Sequence, residues 1–254
     1  MIPRVPFVLA EHHVAYTDIL AHIDSRRAAV EKAAGPTARR IAWLCVHKPL
    51  RPAGVQDRLA RQLERTLMQT ASFGYRQARA EVGSLRAGKP APAAVARLFP
   101  DAGRHGAIAV GGLDTIRAHV RQRAHVVAAE VAAAARLAAD TADKKLPVAV
   151  RVAAAQLAAS RVLHNAALEL VGETLNLGRT AGVASLQQPP QFAMRSEQLD
   201  ANTCDSCEGL HGEIVEIGSA DYYELMPPSG CDGGGRCRGI YVYGDEPVEL
   251  EQAA

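Results

Sequence analysis

Apolar residues recur at helical spacing along most of the first 175 residues of the chain. In the clearest case a valine or leucine stands at every fourth position from Val55 to Leu67, with arginine and glutamate on the other faces. Such a stripe predicts an amphipathic α-helix, here from about Gly54 to Val82. Weaker stripes predict helices at residues 11–32, 37–46, 113–145 and 148–175. Gly35-Pro36 is expected to end the first of these helices.

The pattern changes after Gln187-Gln188-Pro189-Pro190, a segment that predicts a hinge. Residues 212–217 and 239–243 are rich in β-branched and aromatic side chains, which predicts two short strands. Residues 192–199 predict a third strand or an extended link. The expected fold class is therefore mainly α. An elongated helical body spans residues 1–186, and a small β-containing cysteine module spans residues 187–254 and ends in an acidic tail.

Four of the five cysteines fall inside this module: Cys204, Cys207, Cys231 and Cys237. A Cys-x-x-Cys turn brings two thiolates together, and a second pair can complete a tetrahedral metal site. The module is too small for a hydrophobic core that is stable alone, so it needs a cross-link such as a metal ion or disulfides. We therefore predict a zinc-ribbon-like module that is held by a structural zinc ion. Cys45 stands far upstream and is expected to be a small core residue.

The cysteine spacing does not decide which residues bind the metal ion, or whether the cross-link is a metal ion or a pair of disulfides. Five residues separate Cys231 from Cys237, more than in a standard zinc knuckle. His211, four residues after Cys207, is an alternative nitrogen ligand. Two disulfides are the alternative to a metal ion. No secretory signal is recognisable in the first residues, and a reducing cytoplasm favours thiolates over disulfides.

Charge and motifs argue against several classes of function. With 29 basic and 27 acidic residues the net charge is only +2, which gives no case for strong non-specific nucleic-acid binding by the whole chain. No apolar run is long enough to predict a membrane span. Neither Gly-x-Ser-x-Gly nor His-Glu-x-x-His occurs. Cys204, His211 and Asp200 can be written as nucleophile, base and orienting group, but their crowding beside two further cysteines favours ligation. We therefore predict a binding protein and not an enzyme.

Three separated blocks carry a family likeness. One is Asn176-Leu177-Gly178-Arg179, a second runs from Asp200 to Gly212 around Thr-Cys-Asp-Ser-Cys, and a third runs from Met226 to Arg238 and ends in Cys-Arg. In residue types and order they resemble the C-terminal signature of the Mu F-like head morphogenesis proteins of tailed phages. The likeness covers roughly the last third of the chain. Two departures are the lack of an Arg-Thr-Glu triplet before Asn176 and Gly239 in place of a last cysteine.

The resemblance implies a minor head protein of a tailed phage or prophage. Such a protein would bind the portal and the capsid or scaffold proteins during head assembly, DNA packaging or ejection. It would be assembled in the bacterial host cytoplasm and lie in the virion, in the head interior or near the portal. Arg236 and Arg238 are candidates for contact with an acidic partner or with the phosphates of packaged DNA. No membrane partner is expected, and a homo-oligomer through the alanine-rich helices is a further expectation.

The alternative function is a zinc-containing nucleic-acid-binding protein. It is supported by the basic segment from Arg104 to Arg123, and it predicts salt-sensitive DNA affinity in the isolated protein.

Overall fold

A computed structural model of the chain describes residues 14–47, 53–86 and 112–244. Within them lie four long helices: α1 (Val14–His47), α2 (Ala53–Arg86), α3 (Leu113–Thr141) and α4 (Val148–Ala184). The remaining elements are β1 (Phe192–Ser196), α5 (Asp205–Gly209), β2 (Ile214–Glu216), α6 (Ala220–Glu224) and β3 (Ile240–Gly244). The predicted fold class, mainly α with a small C-terminal strand region, is confirmed. The start of the first predicted helix at residues 11–13, residues 104–111 of the basic segment and the acidic tail lie outside the described residues.

The expected break at Gly35-Pro36 is wrong, because α1 continues through it with Pro36 inside the helix. Proline removes one backbone hydrogen bond and costs about 3 kcal/mol in a helix interior. The helix buries side chains on both sides of this point, including Ala34, Ala38 and Ile41, which are fully shielded from solvent. Packing of this face outweighs the lost hydrogen bond, so the two predicted helices form one.

The chain divides into two compact units that do not follow the predicted domain boundary. Unit 1 contains residues 1–23, 70–116 and 172–254, and unit 2 contains residues 24–69 and 117–171. Each long helix therefore contributes residues to both units. The β-strands and the four clustered cysteines belong to unit 1 together with helical segments. A separately folding module over residues 187–254 stays a prediction.

Unit 2 consists of helix segments that contact one another through small and aliphatic side chains. Its buried residues include Ala38, Ile41, Leu59, Leu63, Val127, Val131, Ala159 and Leu163. Cys45 is buried, and its Sγ lies 3.8 Å from the carbonyl oxygen of Ala132, so its expected role as a core residue is confirmed. Polar contacts between helices add to this packing, such as the bidentate pair of Arg121 with Glu64.

Unit 1 is built on a three-stranded antiparallel sheet with the order β2-β1-β3. The central strand pairs Ala193 with Val215 on one side and with Tyr243 on the other. Apolar side chains from the sheet, α2, α6, the last turn of α4 and the residues just after it form one buried cluster: Ala78, Val82, Val183, Leu186, Ala193, Val215, Tyr222, Tyr241 and Tyr243. Tyr222 and Tyr241 stack with ring centroids 5.0 Å apart. The sheet thus covers helix surface instead of standing as a separate layer.

Helices α2 and α4 approach each other closely in unit 1 at glycines. A Cβ atom on Gly178 would stand 2.1 Å from the Ala71 carbonyl oxygen, and one on Gly182 would stand 2.3 Å from that of Tyr75. Gly74 of α2 makes a similar approach to the backbone of Leu175. Only hydrogen fits at these positions. The glycines that were expected to follow the last helix after Leu175 therefore lie inside α4 and allow its packing.

The other residues of the Asn-x-Gly-Arg block attach α4 to β3. The Asn176 side chain donates to the Gly239 carbonyl and accepts from the backbone N–H of Tyr241, at 3.1 and 3.3 Å. Arg179 is fully buried and donates to the Tyr241 carbonyl and to Glu81, at 2.9 and 2.8 Å. Asn176 and Arg179 thus fix β3, the strand that follows the last cysteine.

Candidate metal centre

A short turn and a five-residue helix position the first pair of cysteines. The Asp200 carboxylate accepts from the Asn202 backbone N–H at 2.8 Å, and the Thr203 hydroxyl donates to the Gln198 carbonyl. These bonds shape the turn that leads into α5. Cys204 is the N-cap residue of α5, and Cys207 lies within the helix with no exposed surface. Because the two are three residues apart on one helical turn, their thiols point to the same side.

A glycine-rich loop between α6 and β3 supplies the second pair. Gly234 and Gly235 have φ angles of 61° and 78°, a region that is costly for residues with a side chain. These two glycines turn the chain back between Cys231 and Cys237. Gly233 lies against the thiols, since a Cβ there would stand 3.2 Å from the Cys237 Sγ. The long spacer of this pair is therefore a compact loop that folds around the sulfur atoms.

The four thiols form one cluster. All four Sγ atoms lie within 4.8 Å of one another, and two of the separations are 4.0 Å (Cys204 to Cys231) and 3.5 Å (Cys204 to Cys237). Four sulfurs bound tetrahedrally to zinc at about 2.3 Å stand about 3.8 Å apart, so the cluster fits such an ion. A disulfide needs about 2.05 Å between sulfurs. All five cysteines are described, and none forms a disulfide.

A buried arginine, Arg195, is hydrogen-bonded to one thiol of the cluster and to the segments around it. Arg195 of β1 has no exposed surface, and its Nη2 lies 3.4 Å from the Cys207 Sγ. Its Nε donates to Glu197 at 2.7 Å, and its Nη1 donates to the carbonyls of Leu225 and Ser229 at 3.0 and 2.8 Å. One side chain therefore joins the central strand, the first cysteine pair and the loop that carries the second pair. Donors of this kind orient thiolate ligands and support their charge.

The environments of the thiols differ. Burial raises the pKa of Cys204, but hydrogen bonds from the Cys207 and Gly233 backbone and from neighbouring thiols outweigh this and lower that pKa to about 6. Burial raises the pKa of Cys237 to about 11. For Cys207, burial and the nearby Glu197 carboxylate both raise the pKa. Burial likewise raises the pKa of Glu197 itself. A cation at the cluster would compensate the charge that these buried thiolates develop.

The structure places the remaining predicted residues outside the cluster. The Nδ1 atom of His211 accepts from the backbone N–H of Glu197 at 3.1 Å, and His211 is not among the grouped ligands. Asp200 forms an ion pair with Arg238. Cys204, His211 and Asp200 are thus not assembled as nucleophile, base and orienting group. Arg236 is exposed and donates to the Gly233 carbonyl at 2.9 Å.

Replacing Arg195 by glutamine is expected to lower metal affinity about 10–100-fold, the usual cost of losing a group that hydrogen-bonds to a metal ligand. Arg195→Lys keeps the charge but not the fork of donors, so an intermediate loss is expected. Competition with a chelating dye measures the affinity. Arg236→Gln is the matched control, because this exposed arginine lies on the same loop as Cys237 and donates to the Gly233 carbonyl instead of to a thiol. Wild-type affinity in both Arg195 variants would show that this arginine serves the fold alone.

No protein-family model, curated protein or solved structure matches the chain. In the described part of the chain, no helix is both long and apolar enough to cross a membrane.

Proposed function

We propose that the chain is a minor head protein of a tailed phage or prophage, in which Cys204, Cys207, Cys231 and Cys237 hold a structural zinc ion. The ion would supply a cross-link between α5 and the glycine-rich loop in a region of few strands. Zinc suits four thiolates and brings no redox chemistry of its own. Binding to portal, capsid or scaffold subunits, and not catalysis, is the activity that we assign to the chain.

The observation that carries this proposal is that the three blocks of the family-like signature meet in unit 1. The Asn-x-Gly-Arg block binds β3, the Asp-x-x-Thr-Cys block forms the turn into α5, and Arg238 of the Cys-Arg block pairs with Asp200. Residues far apart in sequence thus serve one local structure. This interdependence supports reading the blocks as one signature.

Exposed apolar side chains offer a surface for the proposed partners. Five large aliphatic residues of unit 2 have 42% or more of their surface exposed: Leu137, Leu146, Val148, Val150 and Leu157. They all lie on α3, α4 and the turn between them. Clustered exposed apolar residues mark protein interaction sites. We assign docking onto portal or capsid subunits to this surface, with Arg236 as a further contact for an acidic partner.

Electron microscopy and protein analysis of assembled heads test this role. A tagged copy is produced together with the other head proteins of the phage or prophage that encodes the chain, and heads are purified. The tag is expected in the particle, near the portal vertex. Leu137→Asp combined with Leu157→Asp is expected to reduce incorporation, while Val126→Asp on α3 is the control for an exposed apolar residue outside this cluster. Absence of the tagged protein from complete heads would overturn the proposal.

A further inference from the structure

A surface groove of about 380 Å³ lies on unit 2, where α1 and α4 provide its lining. Arg39, Arg40 and Trp43 come from α1, and Gln156 comes from α4. The volume is in the range of ligand-binding clefts. Arginine, tryptophan and glutamine are the groups that bind phosphate, stack on planar rings and form paired hydrogen bonds. Among the residues that the structure describes, no carboxylate lines this groove.

The two arginines of the groove have no counterion among the described residues. Both are exposed, and among the described residues neither forms a hydrogen bond or an ion pair. Some other arginines of unit 2 are paired, such as Arg121 with Glu64 and Arg123 with Glu169. Two adjacent unpaired guanidinium groups repel each other. An anionic ligand would relieve this repulsion.

The helix segments that carry the groove are basic over a long stretch. Residues 32–47 of α1 and residues 144–168, which begin α4, contain no aspartate or glutamate. Their cationic residues are Lys32, Arg39, Arg40, Lys144, Lys145, Arg151 and Arg161. Glu31, Asp143 and Glu169 are the carboxylates that border these two stretches in the sequence. In a chain with a net charge of only +2, this concentration of positive charge is local and favours a polyanion as the ligand.

Trp43 adds a planar surface to the charge. It is the only tryptophan of the chain, and 43% of its surface is exposed. Its ring stacks on His47, with centroids 4.1 Å apart and an angle of 17° between the planes. The stacked pair is therefore held as a platform one helical turn from the arginines. Aromatic platforms beside a basic groove are how proteins bind unpaired bases.

We propose that this groove binds single-stranded nucleic acid. Arg39 and Arg40 contact the phosphates, a base stacks on Trp43, and the Gln156 amide bonds to a base edge. A duplex hides its base faces, and an acidic peptide would engage the arginines but leave the indole ring without a planar partner. The inference does not rest on the cysteine cluster or on the proposed head function, because every residue that carries it belongs to unit 2.

Fluorescence of Trp43 in the full-length protein tests the proposal directly, since no other tryptophan contributes to the signal. Titration with oligothymidylate is expected to quench it in a saturable way. The affinity is expected to fall about tenfold or more between about 50 and 200 mM salt. Arg39→Gln and Arg40→Gln should each weaken binding about threefold to tenfold. Arg58→Gln, an exposed arginine of α2 outside the groove, is the matched control and should bind like the wild type.

Two further measurements separate the candidate ligands. Labelled oligothymidylate, followed by anisotropy, should bind Trp43→Phe nearly as well as the wild type and Trp43→Ala at least fivefold more weakly. Polyglutamate and a duplex of equal length should each give weaker quenching than the single strand. Equal quenching by polyglutamate would assign the groove to an acidic protein, and equal quenching by the duplex would exclude base stacking; either result overturns the proposal. A lack of quenching at low salt would do the same.

Discussion

Cys207→Ser is expected to abolish metal binding and to unfold the cysteine region of unit 1. Cys207 is fully buried, and a serine oxygen is a poor replacement for a thiolate in a tetrahedral zinc site. Apparent binding energies of structural zinc are about 10–16 kcal/mol at neutral pH, and much of this energy is folding energy. Loss of the ion should therefore lower the folding stability of this region by more than an ordinary core substitution does. It should also expose the glycine-rich loop to proteolysis.

Cys45→Ser is the control for this experiment, because Cys45 is also buried but lies in unit 2. A serine there can still donate to the Ala132 carbonyl, so a modest loss of stability and an unchanged metal content are expected. Protein is purified without chelator or reductant, and metal per chain and accessible thiols are measured. About one zinc per chain in the wild type and in Cys45→Ser is expected. No metal and four protected thiols in the wild type would mean two disulfides and would contradict the zinc assignment.

The cysteine cluster could be predicted because its information is local in the sequence. Cys204 and Cys207 are set by one helical turn, and the glycines between Cys231 and Cys237 allow a tight loop. Arg195 could not be predicted in the same way. Its partners are 2, 12, 30 and 34 residues away, and a charged residue on a short strand usually faces solvent. Only the assembled loops create the buried space in which its donors are needed.

The ends of the helices likewise show that local patterns could be predicted from the sequence and tertiary packing could not. The amphipathic stripe that begins at Val55 predicted α2 within a few residues, because a surface helix needs only a local pattern. The sequence predicts a break at Pro36 and an end of the last helix at about residue 175, before Gly178, since proline and glycine each weaken an isolated helix. In both cases tertiary packing decides the outcome. Pro36 is held by buried neighbours on both sides, and Gly178 is used for the contact that it allows.

Gly178→Ala is expected to destabilise the protein by about 3 kcal/mol or more. The added Cβ would stand 2.1 Å from the Ala71 carbonyl oxygen and 2.8 Å from the Ala71 Cα, so the helix backbones must move apart. This movement would also pull Asn176 and Arg179 away from β3, to which they are hydrogen-bonded. The effect should therefore reach the sheet next to the cysteine cluster, although Gly178 has no contact with a thiol.

Gly172→Ala provides the opposite expectation in the same helix. A Cβ there meets nothing within 4 Å, and alanine favours a helix over glycine by about 1 kcal/mol. Urea unfolding followed by circular dichroism should thus give a lower midpoint for Gly178→Ala and an unchanged or higher one for Gly172→Ala. If both variants were equally stable, the two helices would not be in contact at Gly178. The glycine of the Asn-x-Gly-Arg block would then need a role other than packing.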